Sequence, residues 1–439
     1  MKLSIRRIFA ASAIFCAFSV QASSADDLIA HYSDDYRALG MADLDLSYKI
    51  AIENLLRETD IPAQRRMFVS YAKQLRGLDL HDVGACQQVD LKQIDFEVNL
   101  NLQKLDLLER FKALGDKAVV TDGGLHSVAM GSAWYDYLRK RWLTIDTTPE
   151  GLLELGESQL SAALAHYHRL QEKMGYAGRD QAFADYLSGP DFIYPAGETP
   201  EADYKARQAI VFRNLDKLFP AAGIEPALIK PIARGPSFPA DAFYDPDDHT
   251  FYFNLNKTRF DRRNVDMLLL HESVPGHHYQ SSYAKKNRVC PLVLPHIFYG
   301  AYAEGWGAYV EEYGTQLGLY AQPSDELGAV EWDLVRSIRV ILDVGINRDG
   351  WSHQQALDYW HRRLPMLPQL AERETTRVLN WPVQAITYKQ GQATIRQLRD
   401  AEQARLGKDF DLRRFHEKVL ENGAVPLALL PELAANPVK

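Results

Sequence analysis

The segment His271-Glu272-Ser273-Val274-Pro275-Gly276-His277-His278 places three imidazoles and a carboxylate within eight residues, directly after the apolar run Leu268-Leu269-Leu270. Imidazole nitrogens and carboxylate oxygens are the donors that hold a zinc ion, and a glutamate beside such a donor can serve as general base to water on that ion. In the His-Glu-x-x-His arrangement the two histidines sit one helical turn apart and share the metal. Here position 275 is proline, so the strict spacing fails. A straight helix would turn His277 to another face and carry His278 two turns onward, about 10 Å away. Neither suits ligands that each lie roughly 2 Å from one ion. Pro275 interrupts the backbone ladder and Gly276 tolerates unusual dihedrals, so the pair predicts a kink or bulge that swings His277 back toward His271.

Many zinc-peptidase helices end in Gly-His, and that similarity makes His277 the first choice for the second ligand, with His278 as its alternative. A third protein ligand is needed, with one position left open for water or substrate. Glu304 meets the need in Gly300-Ala301-Tyr302-Ala303-Glu304-Gly305-Trp306-Gly307-Ala308, because its small neighbours let a second helix approach the first closely. His296 is the rival. Glu311, two turns further on the same face, reads either as a hydrogen-bond acceptor for a metal-bound histidine or as an exposed carboxylate; Glu312 reads as exposed. The expected chemistry is hydrolysis assisted by one zinc ion on His271, His277 and Glu304. Glu272 would take the proton from water and later pass one to the leaving amine. Two imidazoles and a carboxylate suit zinc, although Mn²⁺ and Co²⁺ accept similar donors.

These residues need rigid elements to hold them. Apolar residues at helical spacing predict long amphipathic helices from Leu28 to about Leu187, for example Asp43 to Arg57. Thr148-Pro149-Glu150 is a start signal for a helix through Lys173. Another helix is expected from about Pro200 to Leu218. Phe243-Tyr244 and Thr250 to Leu255, around Asp245-Pro246-Asp247-Asp248, predict two short strands joined by a turn. Such a hairpin either borders the cleft and pairs with an extended peptide or simply packs on helices. Helices are expected again at Asn264 to Val274, Gly300 to Leu317, Glu326 to Asn347, Ser352 to Leu364 and Gln390 to Leu406.

Over 439 residues, 46% hydrophobic and 25% charged content is that of a soluble globular protein. The first residues differ: a cationic start from Lys2 to Arg7, an apolar run from Ile8 to Val20, then Ala22, Ser23 and Ser24. That is the pattern of a secretory signal peptide, residues 1–22, cleaved after Ala22. Its apolar run is too short for a spanning helix, so no stable membrane insertion is expected. Cys16 invites a lipid anchor, but Ala13-Ile14-Phe15 lacks the small residues that such processing normally requires. Export places Cys86 and Cys290 in an oxidising compartment, either as a disulfide or as two free thiols. A net charge of −8 with no basic block beyond the signal argues against a nucleic-acid partner. The expected location is the periplasm or the medium, and the expected partner is a peptide or amide substrate.

The His271 to Gln280 segment, Glu304-Gly305-Trp306 and the stretch from Pro382-Val383-Gln384 through Tyr388-Lys389-Gln390-Gly391 to Pro426-Leu427 together resemble the bacterial family called domain of unknown function 885. The resemblance implies a mainly α fold: a large helical, zinc-peptidase-like fold with a small β-hairpin or sheet bordering the cleft, and a gluzincin-type metal site. The helical pattern along the chain, with no internal repeat, is read as a single helical domain over 23–439, with an N-terminal helical cap at about 26–220 and a catalytic portion at about 221–439. Tyr388 becomes the candidate donor to the oxyanion formed at an attacked carbonyl, against a plain packing role. Arg396 and Arg399 are read as carboxylate grips or as partners of nearby acids such as Asp400 and Glu402. One departure from the family pattern is Asn347, where a histidine is expected. Two other readings stand beside the peptidase: a non-catalytic binder of peptides or envelope components on the same fold, and a metal-dependent amidase acting on non-peptide substrates.

Overall fold

A computed structural model describes residues 24–39, 60–78, 83–117, 123–233, 240–255, 260–290 and 297–435. The expected signal peptide, the helix expected from Asp43 to Arg57 and the rival ligand His296 lie outside these residues. The fold is mainly helical with one small sheet. In chain order the helices are α1 (Ala25–Ala38), α2 (Ile61–Arg76), α3 (Ala85–Lys112), α4 (Gly131–Leu143), α5 (Pro149–Lys173), α6 (Asp180–Leu187) and α7 (Glu201–Asn214). After the sheet come α8 (Val265–Glu272), α9 (His277–Asn287), α10 (Gly300–Val310), α11 (Pro323–Asp343), α12 (His353–Arg363), α13 (Ala371–Asn380), α14 (Thr387–Leu406), α15 (Leu412–Leu420) and α16 (Leu430–Ala435).

Local chemistry explains the boundaries. Thr148 accepts a hydrogen bond from Gly151 N–H at 3.0 Å and Pro149 occupies the first turn, so α5 starts where its sequence predicts. Ser352 caps α12 in the same way. Several helices are shorter than their sequences suggest, α7 ending at Asn214 before a 3₁₀ turn at Leu215–Lys217. The segment after α10 tightens into a 3₁₀ turn at Glu311–Tyr313, and the one after α11 widens into a π turn at Val344–Arg348.

The sheet has three strands in the order β1 (Leu228–Ile232), β3 (Thr250–Asn254), β2 (Ala242–Asp245). The hairpin β2–β3 is antiparallel as expected, with Asp245 and Asp248 carboxylates accepting from the N–H groups of Asp247 and Thr250 in the turn. Strand β1 is a correction to the two-strand expectation: it pairs in parallel with β3, Leu228 opposite Thr250. Phe251 and Phe253 point from β3 into Tyr204 of α7, which fastens the sheet to the helices.

Two apolar cores result. One joins α1 to α4 with the sheet, α8, α9, α10 and α15; the other lies between α5, α11, α12 and α13. Helix α11 buries Leu334, Val335, Ile338, Ile341 and Leu342, each worth about 1.5–3 kcal/mol relative to exposure. Glycines bring α10 and α14 into close contact: a Cβ on Gly305 would lie 2.4 Å from Gly391 Cα. No helix among the described residues is long and apolar enough to cross a membrane.

Cys86, at the start of α3, and Cys290, after α9, form a disulfide with Cα atoms 5.2 Å apart and a sequence separation of 204. Of the two readings of these cysteines, the disulfide holds. Closing so long a loop restricts the unfolded chain, so the paired Cys86→Ser, Cys290→Ser variant should lose about 2–5 kcal/mol of stability. Denaturant titration with and without reductant checks this. Equal midpoints for oxidised and reduced protein would show that the bond contributes nothing.

Candidate metal centre

Helix α8 ends at Glu272, two residues before its sequence suggests. Ser273 leaves the helical region (φ −107°, ψ −108°), a cis Val274–Pro275 peptide follows, and α9 begins at His277. The sequence predicted a kink within one helix; the chain instead breaks into two helices with a tight turn between. Gly276 sits at the closest point of that turn, where a Cβ would lie 1.8 Å from the carbonyl oxygen of His271. Trp306 Nε1–H of α10 donates to Pro275 O at 2.8 Å and pins the turn from outside. The outcome matches the expected return of His277: its ring centroid lies 4.7 Å from that of His271.

Helix α10 supplies the third group. Nε2 of His271 and Nε2 of His277 lie 3.3 and 3.4 Å from the same Oε2 of Glu304, and one donor atom from each residue falls within 4.8 Å of the others. Magnitudes separate two explanations of this cluster. Charge-assisted hydrogen bonds prefer about 2.7–2.9 Å. Two atoms each about 2.0–2.1 Å from zinc, at close to the tetrahedral angle, are roughly 3.3–3.4 Å apart. Both His–Glu304 separations match that span, so a small shift of the two imidazoles would let all three donors close on a single small cation. The small residues around Glu304 act as the sequence suggested: a Cβ on Gly307 would lie 2.5 Å from the His271 ring, so α10 lies directly on the imidazole.

Electrostatics favour the same occupant. Burial opposes a charge on His271, but the Glu304 and Glu311 carboxylates beside the ring outweigh it and push the imidazole up to about 9. Burial likewise opposes the Glu304 carboxylate, yet His271 and His277 hold it well below the usual carboxylate range. Partly buried Glu304 faces both imidazoles and can balance positive charge between them, while buried Glu311 is shared between His271 and Arg336.

Glu311 is no exposed carboxylate. It is buried, accepts from His271 Nδ1 at 2.7 Å and from Arg336 at 2.6 Å, and thereby leaves His271 Nε2 directed at Glu304. Such outer carboxylates fix the ring and its tautomer, so Glu311→Gln should weaken zinc affinity about 10- to 100-fold. Competition against a chromogenic chelator measures this. Unchanged affinity would reduce Glu311 to a packing role.

The other sequence candidates separate cleanly. His278 is spent elsewhere: its Nδ1 lies 3.1 Å from Tyr244 OH and its Nε2 2.8 Å from Glu225 O, on the sheet side of α9. Glu272 lines a cleft together with His271, Tyr388 and the segment Ala240-Asp241-Ala242 at the start of β2. Tyr388 stacks on His271 with centroids 6.0 Å apart, and its hydroxyl accepts from Arg377 Nη2 at 3.3 Å. Burial pushes the phenol up, so it keeps its proton. Arg396 pairs with Glu312, which is held rather than free, and Arg399 pairs with Asp400. Asn347 is fully buried; its oxygen accepts from Leu125 N–H at 3.0 Å and its nitrogen donates to Val378 O at 3.1 Å. That makes it a joint between the segment before α4, the π turn and α13, outside the cleft lining.

Sequence reading missed the cleft arginines Arg336 and Arg339 of α11 and Arg373 and Arg377 of α13. Their signal was the spacing, three and four residues apart, which puts each pair on one helix face.

The chain belongs to the family described as bacterial protein of unknown function, DUF885, which it matches over residues 51–433. No curated protein matches the chain significantly. Among solved structures it is similar to a "putative lipoprotein" from Colwellia psychrerythraea, with a TM-score of 0.64 and 22% identity, covering 94% of this chain and 73% of the other. It is also similar to a protein of unknown function, given the same description, from Shewanella oneidensis, with a TM-score of 0.58 and 18% identity, covering 94% and 77%. At these identities the likeness speaks for the fold.

Proposed function

We propose that the protein is an exported zinc-dependent hydrolase that cleaves peptide bonds. The observation that carries this reading is the convergence of His271 Nε2 and His277 Nε2 on Glu304 Oε2, at 3.3 and 3.4 Å, beside a small cleft lined by His271 and Glu272. A zinc ion bound there supplies a Lewis acid that polarises a carbonyl and brings water toward ionisation near neutral pH. Glu272 takes the proton from the attacking water and passes it to the departing amine. Tyr388 O–H donates to the oxygen on which negative charge develops, and Arg377 holds the phenol in place. Strand β2 lies at the sheet edge with its first residues at the cleft, where backbone groups can pair with an extended substrate.

Export is supported by the cationic and apolar N-terminal segment, by the Cys86–Cys290 disulfide, and by the description "putative lipoprotein" that two similar structures carry. The donor set by itself does not distinguish a peptide from another amide. Product mass spectrometry on zinc-loaded protein with mixed peptide and peptidoglycan substrates makes that distinction. Peptide fragments that vanish on chelation are the expected result. Cleavage confined to cell-wall amides would favour the amidase reading, and full zinc occupancy with no product from either would favour the binding protein.

A further inference from the structure

Four guanidinium groups from α11 and α13 line the cleft beside His271 and Tyr388. Their carboxylate partners are unevenly shared. Arg336 is held by Glu311 at 2.6 Å. Arg339 and Arg373 divide Glu374 between them, at 2.6 and 2.8 Å, and Arg373 also reaches Asp241 at 3.6 Å. Arg377 has no ion pair with a carboxylate among the described residues. Its Nη2 donates only to the neutral oxygens of Gln384 and Tyr388, at 3.1 and 3.3 Å, and its Nε is buried without a hydrogen-bond partner. Trp381 lies under the guanidinium plane at 5.3 Å and orients it.

An arginine cannot shed its charge in a protein, and partly buried Arg377 feels the Glu374 and Glu304 carboxylates only from beyond ion-pair distance, which leaves its fork open to an anion. Its planar fork matches a carboxylate through two parallel hydrogen bonds. Position narrows the ligand further. Arg377 Cζ lies 5.9 Å from the centre of the Tyr388 ring, which lies 6.0 Å from that of His271. The guanidinium carbon is thus within about 12 Å of the centre of the His271 ring, one flank of the candidate metal centre. An extended peptide advances roughly 3.3–3.6 Å per residue, and a carboxylate and a guanidinium in contact occupy several ångströms more. That bound admits a single residue between a carbonyl at the centre and a carboxylate on Arg377, and not more than about two.

We propose that Arg377 anchors the substrate's carboxylate, and that the site removes single residues from the free C-terminus of a peptide. This rests on the peptidase reading above and adds a substrate class to it. The same fork would accept an aspartate or glutamate side chain, so the test separates the two sources.

Zinc-loaded Glu272→Gln protein is incubated with an N-acetylated tetrapeptide library prepared as free acids and again as C-terminal amides, and the retained peptides are identified by ultrafiltration and mass spectrometry. The free acids should be retained roughly 10- to 100-fold better than the amides, whatever their side chains. Arg377→Gln should bring that ratio close to one while Arg377→Lys keeps part of it. The comparison of acids with amides needs no change at Arg377, so it decides the matter even where that variant folds poorly. Equal retention of acids and amides, retention only of amides bearing acidic side chains, or no retention at all would each overturn the proposal. Hydrolysis of both libraries by the unaltered protein keeps the two readings apart. Cleavage of amides as fast as acids leaves a peptidase without this anchor, whereas selective retention of acids without hydrolysis leaves the anchor without the peptidase.

Discussion

Glu272→Gln should bind zinc as tightly as the unaltered protein and lose about 10²–10⁴-fold in kcat on any peptide the protein cleaves. Glu272 is the last residue of α8 and lines the cleft, but it is not one of the three converging donors. Removing its charge therefore leaves His271, His277 and Glu304 in place while taking away the group that moves the proton. Glutamine is close in size and cannot accept that proton at neutral pH, so the loss falls on kcat more than on KM. Metal analysis and steady-state kinetics on the same preparation are needed together. Undiminished turnover with full zinc would remove Glu272 from the mechanism, and loss of zinc would make it a ligand.

A residue that touches no substrate should be just as damaging. Gly276→Ala places a methyl group 1.8 Å from the His271 carbonyl oxygen, well inside any tolerable contact, and the obstacle is backbone rather than a movable side chain. The turn between α8 and α9 has to open to admit it. His277, the next residue, then moves away from Glu304, and a donor shifted by even 1 Å no longer reaches an ion held at about 2 Å. The expected outcome is loss of stoichiometric zinc with helical content retained, read by metal analysis beside circular dichroism. Wild-type zinc affinity in Gly276→Ala would show that the turn does not set the histidine geometry.

Much of the candidate cluster was legible because its residues are local in sequence. His271, Glu272, Pro275, Gly276 and His277 are adjacent in sequence, and the failure of the regular helical spacing announced the turn that the structure contains. Glu304 was found because its neighbours are small, and the packing of Gly307 on His271 gives the reason. What the sequence hid depends on long-range packing. Strand β1 is a short edge strand that contains Pro231 and pairs with β3 residues twenty-two positions further along the chain, so neither periodicity nor a turn signal marks it. Arg377 and Arg339 look like ordinary solvated helix residues until α11 and α13 are laid against the cleft. Glu311 could be read either way, since its role depends on Arg336 arriving from a different helix. His278 was a fair rival to His277 on composition alone, and only the position of Tyr244 and Glu225 shows that its nitrogens are already engaged.

The central claim is a single zinc ion held jointly by α8, α9 and α10. It is tested most directly by equilibrium dialysis against zinc followed by mass-spectrometric metal analysis of the unaltered protein and of His277→Ala and Glu304→Ala. One zinc per chain is expected in the first and well under half an equivalent in each variant, because two remaining donors cannot hold the ion against a buffered pool. A metal-free native protein, or variants that keep a full equivalent, would contradict the account.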